Sequence, residues 1–234
     1  PDQARREKVS ERINCEGVSD YQEVLASDVD VIDICTPPYL HLEMATQGLK
    51  SGHHVVCEKP LVTSLEQIDQ LIEVQKSTGY HLMPISQYRF AGGIQRLKHL
   101  VEQGIAGTPY ISTVETHWNR GSSYYSAPWR GRWETEHGGV ILCHALHLHD
   151  LLCFILGDVE SVYAQVATRV NPIETEDCAM LSLKMKNGAL VSSSATLGSR
   201  DEISRLRFCF ENFTAESNLE PYNPGRDPWT TTPK

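Results

Sequence analysis

Two short stretches of this chain carry side chains of a kind and spacing suited to proton transfer. The first is Glu58-Lys59-Pro60, which closes an apolar run containing Val55, Val56 and Cys57. A proline stops a strand's hydrogen-bond ladder and fixes the backbone, in a trans or a cis form, so the lysine before it is aimed. A lysine held in a partly desolvated crevice can have its pKa lowered enough to pass protons. The plainer alternative is a solvated lysine on a surface turn, and three residues do not decide between them.

The second stretch is Cys143-His144-Ala145-Leu146-His147-Leu148-His149-Asp150. On a helix, Cys143, His147, Asp150 and Phe154 fall along one stripe, because positions three and four apart are neighbours. His144 borders that stripe, and His149 lies with Leu142, Ala145 and Leu152 on another. An imidazole titrates near neutrality, so His147 suits a general base, and Asp150 is placed to set its tautomer. Gly138-Gly139 allows close packing or a sharp turn at the helix entrance. Histidine, aspartate and cysteine are also zinc ligands, but His149 points away from His147 and no second ligand pair appears, so no metal is expected. A purely structural reading, in which the histidines satisfy buried carbonyls, stays open for His147 and is favoured for His149.

A third candidate, Trp129-Arg130-Gly131-Arg132-Trp133, could be a basic aromatic patch for nucleic acid. In an acidic chain it reads better as a loop over a flat polar ligand. Trp118, Tyr124 and Tyr125 then line the same mouth or belong to the core.

The elements that must position these residues alternate at first. Short apolar runs over 29–35, 55–57 and 81–86 predict strands, with Asp33 the one discordant residue. Helical spacing over 40–50 is followed by Gly52 as a cap, and Ser64-Leu65-Glu66-Gln67 has a capping-box pattern opening a helix that Gly79 ends. Two strand–helix–strand crossovers imply a parallel sheet. Helical spacing resumes at Ile94 and stops near Gly104. A long strand over 110–118, an irregular stretch over 119–133 and a helix over 140–156 follow. Strand-like runs over 159–170, 178–185, 189–196 and 206–213, with a hairpin signal at Asn187-Gly188, imply an antiparallel sheet. The expected class is therefore α/β plus α+β, with a parallel-sheet domain over 1–91 and a mainly antiparallel domain over 92–234. The Pro/Gly/Thr-rich tail over 220–234 has no evident partner.

The chain has 234 residues with 40% hydrophobic and 22% charged, enough for a substantial core. A net charge of −9 leaves no basic field for nucleic acid or an anionic membrane. Seven cysteines without a C-x-x-C pair read as small buried hydrophobes in a reducing compartment. With no apolar run near a membrane span and no signal peptide, a cytoplasmic location is expected.

Taken in order, VDVIDICTPPYLH, GHHVVCEKPL, QYRF, WRGRW and GGVILCHALHLHDLL resemble the glucose–fructose oxidoreductase/inositol dehydrogenase (Gfo/Idh/MocA) family over about residues 16–217. The resemblance implies a partial Rossmann domain binding NAD or NADP, then a substrate domain for a sugar, cyclitol or related polyol. Lys59 corresponds to the family's catalytic lysine and His147 to its acid/base histidine. Thr36, Pro37 and His41 would lie along the cofactor's ribose and nicotinamide side, with Glu58 nearby. Gln87, Arg89, Trp129 and Arg130 carry over to the cofactor or substrate mouth. Lys59, Arg89, Cys143, His144 and His147 are the expected substrate contacts, in a homo-oligomer built through the antiparallel sheet.

Two departures stand out. Cys143 occupies the place of a family aspartate, and a thiol cannot replace a carboxylate as acceptor and charge partner; adjacent His144 is positioned to substitute. No G-x-G-x-x-G turn precedes Val29, although that turn holds the pyrophosphate in such folds. The chain therefore reads as a truncated form, expected to bind dinucleotide weakly and turn over slowly. Two rival readings are an NAD-dependent glycosidase of the same fold and a non-catalytic sugar- or dinucleotide-sensing regulator.

Overall fold

The computed structural model describes residues 2–234. The chain divides into two compact units, one running to Ile85 and the other from Ser86 to Lys234. Residues 86–91 fall with the second unit, where Tyr88 and Arg89 touch side chains of its long helix.

The first unit contains α1 (Gln3–Ile13), α2 (Tyr21–Leu25), β1 (Val31–Ile34), α3 (His41–Lys50), β2 (His54–Cys57), α4 (Leu65–Thr78) and β3 (Leu82–Pro84). The three strands pair in parallel in the order β1-β2-β3, as the two crossovers predict. Ile34, Val55 and Cys57 on one face pack with Ala45 and Leu49 of α3 and Leu71 and Val74 of α4. On the other face Val31 and Met83 remain about half exposed and Asp33 is exposed, so the sheet is covered on one side. The apolar β1 run alone suggests cover on both sides.

Helices α1 and α2 lie in a stretch whose periodicity predicts nothing, and neither buries a residue. Local capping defines them: Asp2 and Asp20 each accept a backbone N–H, and Glu23 completes a capping box with Asp20. The expected box on α4 is altered. Ser64 accepts from the Gln67 N–H, but the Gln67 side chain returns to Thr63 rather than to Ser64. Gly79 ends α4 at φ 78°, a conformation that favours glycine.

The second unit contains α5 (Gly92–Glu102), β4 (Pro109–Asn119), a π-helical turn (Ile141–Ala145) running into α6 (Leu146–Leu156), and the strands β5 (Val159–Ala167), β6 (Cys178–Met185), β7 (Leu190–Thr196), β8 (Gly198–Phe210), β9 (Phe213–Glu216) and β10 (Thr230–Pro233). Their order is β10-β9-β8-β4-β7-β6-β5. All neighbours are antiparallel except β4 and β7, which pair in parallel at the centre. Ser112, Val114, Thr116 and Trp118 of β4 are buried at strict alternation. Helices α5 and α6 cover that face through Ile94, Leu97, Leu148, Leu151, Leu152 and Ile155.

The tail departs from expectation. Trp229 stacks toward Phe208 at 6.2 Å, its indole N–H is held by the Pro224 carbonyl, and β10 pairs with β9. Composition marks this segment as irregular, whereas its pairing with β9 and Phe208 is set by residues outside it and leaves no local signal. The cysteines differ from expectation too: all seven are free, but Cys15 and Cys35 are exposed.

Candidate active site

In the first unit, the loops after β1 and β2 emerge at the carboxyl ends of parallel strands, where open α/β sheets receive ligands. Thr36, Pro37, Glu58 and Lys59 are half-buried there. The Lys59–Pro60 peptide bond is cis. The Glu58 N–H donates to the Ile34 carbonyl at 2.9 Å, and the Glu58 carboxylate accepts the Lys59 N–H at 3.0 Å. His41 opens α3 beside these loops. It is 1% exposed, and its ring nitrogens lie 2.8 Å from the Thr36 carbonyl and 2.8 Å from the Pro60 carbonyl. Both polar atoms of the ring are thus committed to the protein's own backbone.

In the second unit, the helix entrance is built around Glu176. Its carboxylate accepts the N–H groups of Gly139 at 3.0 Å and Ile141 at 3.1 Å, and its carbonyl accepts that of Val140 at 2.8 Å. A carboxylate at a helix start satisfies otherwise orphaned donors and complements the dipole. A Cβ on Gly139 would stand 1.8 Å from the Glu176 carbonyl oxygen, so close approach, not a left-handed turn, explains that glycine. The first turn closes as a π turn, with the Leu146 N–H reaching back to the Ile141 carbonyl. This extra residue shifts Cys143 and His144 out of register with α6.

The contacts follow that shift. His147 stacks on Tyr88 at 4.5 Å between ring centres. Asp150 is gripped through both oxygens by Arg89, with Nε donating to Oδ2 at 2.7 Å, and the same guanidinium lies over Phe154. The stripe of His147, Asp150 and Phe154 therefore exists and faces the turn carrying Gln87–Phe90. Arg89, expected at a substrate mouth, is tied to Asp150, the residue expected to orient His147; Gln87 is exposed. The Cys143 thiol lies 3.4 Å from the Gly138 carbonyl and 3.8 Å from that of Glu136. His144 is buried against Trp118 and Tyr124. His149 is bonded to Ser193 at 2.9 Å, and burial pushes its pKa down to about 4, in keeping with a structural histidine.

The irregular loop is also internally occupied. Arg130 lies between the rings of Tyr124 and Trp129 and donates to buried Glu136 at 2.9 Å. Glu136 also accepts the Gly131 N–H. Burial pushes the Tyr88 and Tyr124 hydroxyls up to about 12, so both are neutral donors at ordinary pH. Beside them runs a polar groove of about 720 Å³ lined in part by Tyr125, Arg130, Arg132 and Asn171. Among the described residues, no group of three or more His, Cys, Asp or Glu side chains is placed to hold a metal ion. Sequence reasoning missed Tyr88, Glu136 and Glu176. Tyr88 sits inside the quoted QYRF run, whereas nothing local distinguishes the two glutamates from surface acids.

Comparisons with known proteins agree with this architecture. Residues 1–85 match the oxidoreductase family with an NAD-binding Rossmann fold, and residues 94–216 match the GFO/IDH/MocA C-terminal domain. The uncharacterized oxidoreductase YrbE of Bacillus subtilis is 30% identical over 74% of this chain and 50% of its own length. Myo-inositol 2-dehydrogenase of Thermotoga maritima is 30% identical over 70% of this chain and 48% of its own. The chain thus spans about half the length of these relatives. The WlbA dehydrogenase of Bordetella pertussis, solved in complex with NADH and UDP-GlcNAcA, superposes with a TM-score of 0.90 at 30% identity, covering 98% of this chain and 70% of that one. This chain belongs to the Gfo/Idh/MocA family of NAD(H)-binding oxidoreductases.

Proposed function

We propose that this chain forms part of an NAD(P)-dependent dehydrogenase acting on a secondary hydroxyl of a sugar, cyclitol or related polyol. The observation that carries the reading is Lys59, half-buried on the loop at the carboxyl end of β2, in a family of NAD-binding oxidoreductases. The parallel-sheet unit serves the dinucleotide and the larger, mainly antiparallel unit serves the substrate. Relatives named for myo-inositol and D-glucoside oxidation support the substrate class.

In this mechanism Lys59 donates a hydrogen bond to the reacting hydroxyl oxygen and orients it. His147 takes the hydroxyl proton as the carbon–hydrogen bond breaks and the carbonyl forms. When bound, the nicotinamide supplies the acceptor for the departing hydride. His144, buried between Trp118 and Tyr124, supports the acid/base end in place of the family aspartate. The test is turnover in the protein carrying this chain, against a panel of sugars and cyclitols. Lys59→Ala and His147→Ala are each expected to lower kcat by about 10²–10⁴-fold, with NAD affinity little changed. Near-native rates in both would remove the mechanism.

Cys143 favours a second reading as a ligand-sensing regulator, because its buried thiol contacts backbone carbonyls where the family has a carboxylate. Sugar or dinucleotide binding without NADH formation would select it. For assembly, we propose that a second copy covers the open face of the large sheet, where Ile111, Tyr163, Met180 and Leu190 are exposed on neighbouring strands. Sedimentation of Tyr163→Lys as a monomer beside an oligomeric parent would support that; equal sedimentation would not.

A further inference from the structure

His41 has no place in the proton path, yet it is among the most buried polar groups of the first unit. It opens α3, and its ring spans two backbone carbonyls from different loops, Thr36 after β1 and Pro60 after β2. Proline has no N–H, so the carbonyl is the one backbone polar group that Pro60 offers, and in a buried residue that carbonyl needs a donor. His41 supplies it.

The consequence falls on the residue between. The segment 58–60 is tied to the β1 side at both ends. Before Lys59, the Glu58 N–H is bonded to the Ile34 carbonyl. After Lys59, the Pro60 carbonyl is bonded through the His41 ring to Thr36. Removing the imidazole would leave the second tie open and the Pro60 carbonyl buried without that donor, at a site one residue from the lysine.

We propose that His41 is the positioning residue of Lys59: it rivets the Pro60 carbonyl to the Thr36 loop and thereby sets the direction of the lysine side chain, instead of contacting the cofactor. The inference rests on Lys59 being the working lysine. Both of its partners are carbonyl acceptors within hydrogen-bond reach of the ring nitrogens.

The first unit contains its own control. His53 makes the same kind of bridge, to the Val29 carbonyl at 2.7 Å and the Leu25 carbonyl at 3.0 Å, and is likewise buried. It serves the entrance of β1, at the opposite end of the strands from Lys59. Loss of either histidine removes a buried ring and two carbonyl partners, but only loss of His41 releases the lysine loop.

The experiment compares His41→Ala and His53→Ala in the protein carrying this chain, with folding verified by circular dichroism. The lysines are reductively methylated with ¹³C-formaldehyde, and the Lys59 signal is assigned by its absence in Lys59→Arg. In His41→Ala the Lys59 methyl resonance is expected to move to the position of the surface lysines, and kcat to fall at least tenfold with the KM for NAD within threefold. In His53→Ala both stay at the parent values. An unmoved Lys59 resonance in folded His41→Ala, or equal changes in both variants, overturns the proposal. A parent without dehydrogenase turnover would count against the proposed function alone, since the resonance comparison still decides the role of His41. Should His41→Ala fail to fold, the parent protein decides: slowly exchanging ring N–H protons on His41 support the rivet, and rapid exchange with water overturns it.

Discussion

The loop carrying Lys59 and the helix carrying His147 are fixed by different means. The lysine loop runs over residues 58–64, and its first part is held through backbone carbonyls by a strand-type bond at Glu58 and the His41 imidazole at Pro60. The histidine helix is held at its entrance by the carboxylate of Glu176 and along its length by aromatic and aliphatic packing. The first arrangement depends on residues within about twenty-five positions of one another, and the second on partners up to 61 positions distant. A short loop needs few ties because β2 and α4 already define its two ends. A helix that enters through a π turn leaves several N–H groups to satisfy at once, and a carboxylate meets more than one.

That contrast is broken or sharpened by perturbing each anchor. The largest effect is expected for Glu176→Ala, which leaves the Gly139 and Ile141 N–H groups buried without their acceptor. At roughly 1–3 kcal/mol per orphaned group, urea unfolding should show a loss of about 4 kcal/mol. Glu176→Gln keeps one acceptor oxygen and should lose less. Equal stability of Glu176→Ala and the parent would show that the carboxylate does not anchor the helix.

Next comes acid. His149, on the same helix, has its pKa lowered from 6.5 to about 4 by burial against the sheet. The unfolded chain therefore binds this proton first as pH falls, and stability drops from about pH 6.5 until the folded form also protonates near pH 4. The window of roughly 2.5 units corresponds to about 3 kcal/mol. Unfolding midpoints of the parent and His149→Gln measured between pH 7 and pH 4 should converge if this group is responsible. A parallel pair of curves would assign the acid sensitivity elsewhere.

The smallest effect belongs to the first unit. Ser64→Ala removes the N-cap bond of α4 to Gln67, and about 1 kcal/mol of stability should go with it. Because Gln67 also reaches Thr63, a loss well below that figure would indicate that the altered box holds without its serine.

Much of the frame was legible beforehand because it is local. The 3.6 spacing of Leu65, Ile68, Leu71 and Ile72, Gly79 as a stop, and the long strand-like run over 110–118 each report a backbone preference carried by neighbouring residues. The stripe of His147, Asp150 and Phe154 was legible for the same reason. Cys143 was placed on it by a regular helical count, which takes no account of the π turn over Ile141–Ala145. The central parallel pairing of β4 with β7 was not legible either. Strands that follow one another without helices suggest simple antiparallel neighbours, whereas β4 pairs with β8 on one side and in parallel with β7 on the other.

The family motifs by themselves determined the class of fold, the cofactor type and the residues Lys59 and His147 as candidates. What the tertiary structure decided was whom each polar group serves. His41 turned from an expected ligand contact into a tie between two loops, Arg89 into the partner of Asp150, and Glu176 from an unremarked acid into the anchor of a helix. The reason is physical. Residue type and spacing constrain the nearby backbone, whereas the partner of a buried polar side chain is set by which distant segments the packed core brings within hydrogen-bond reach.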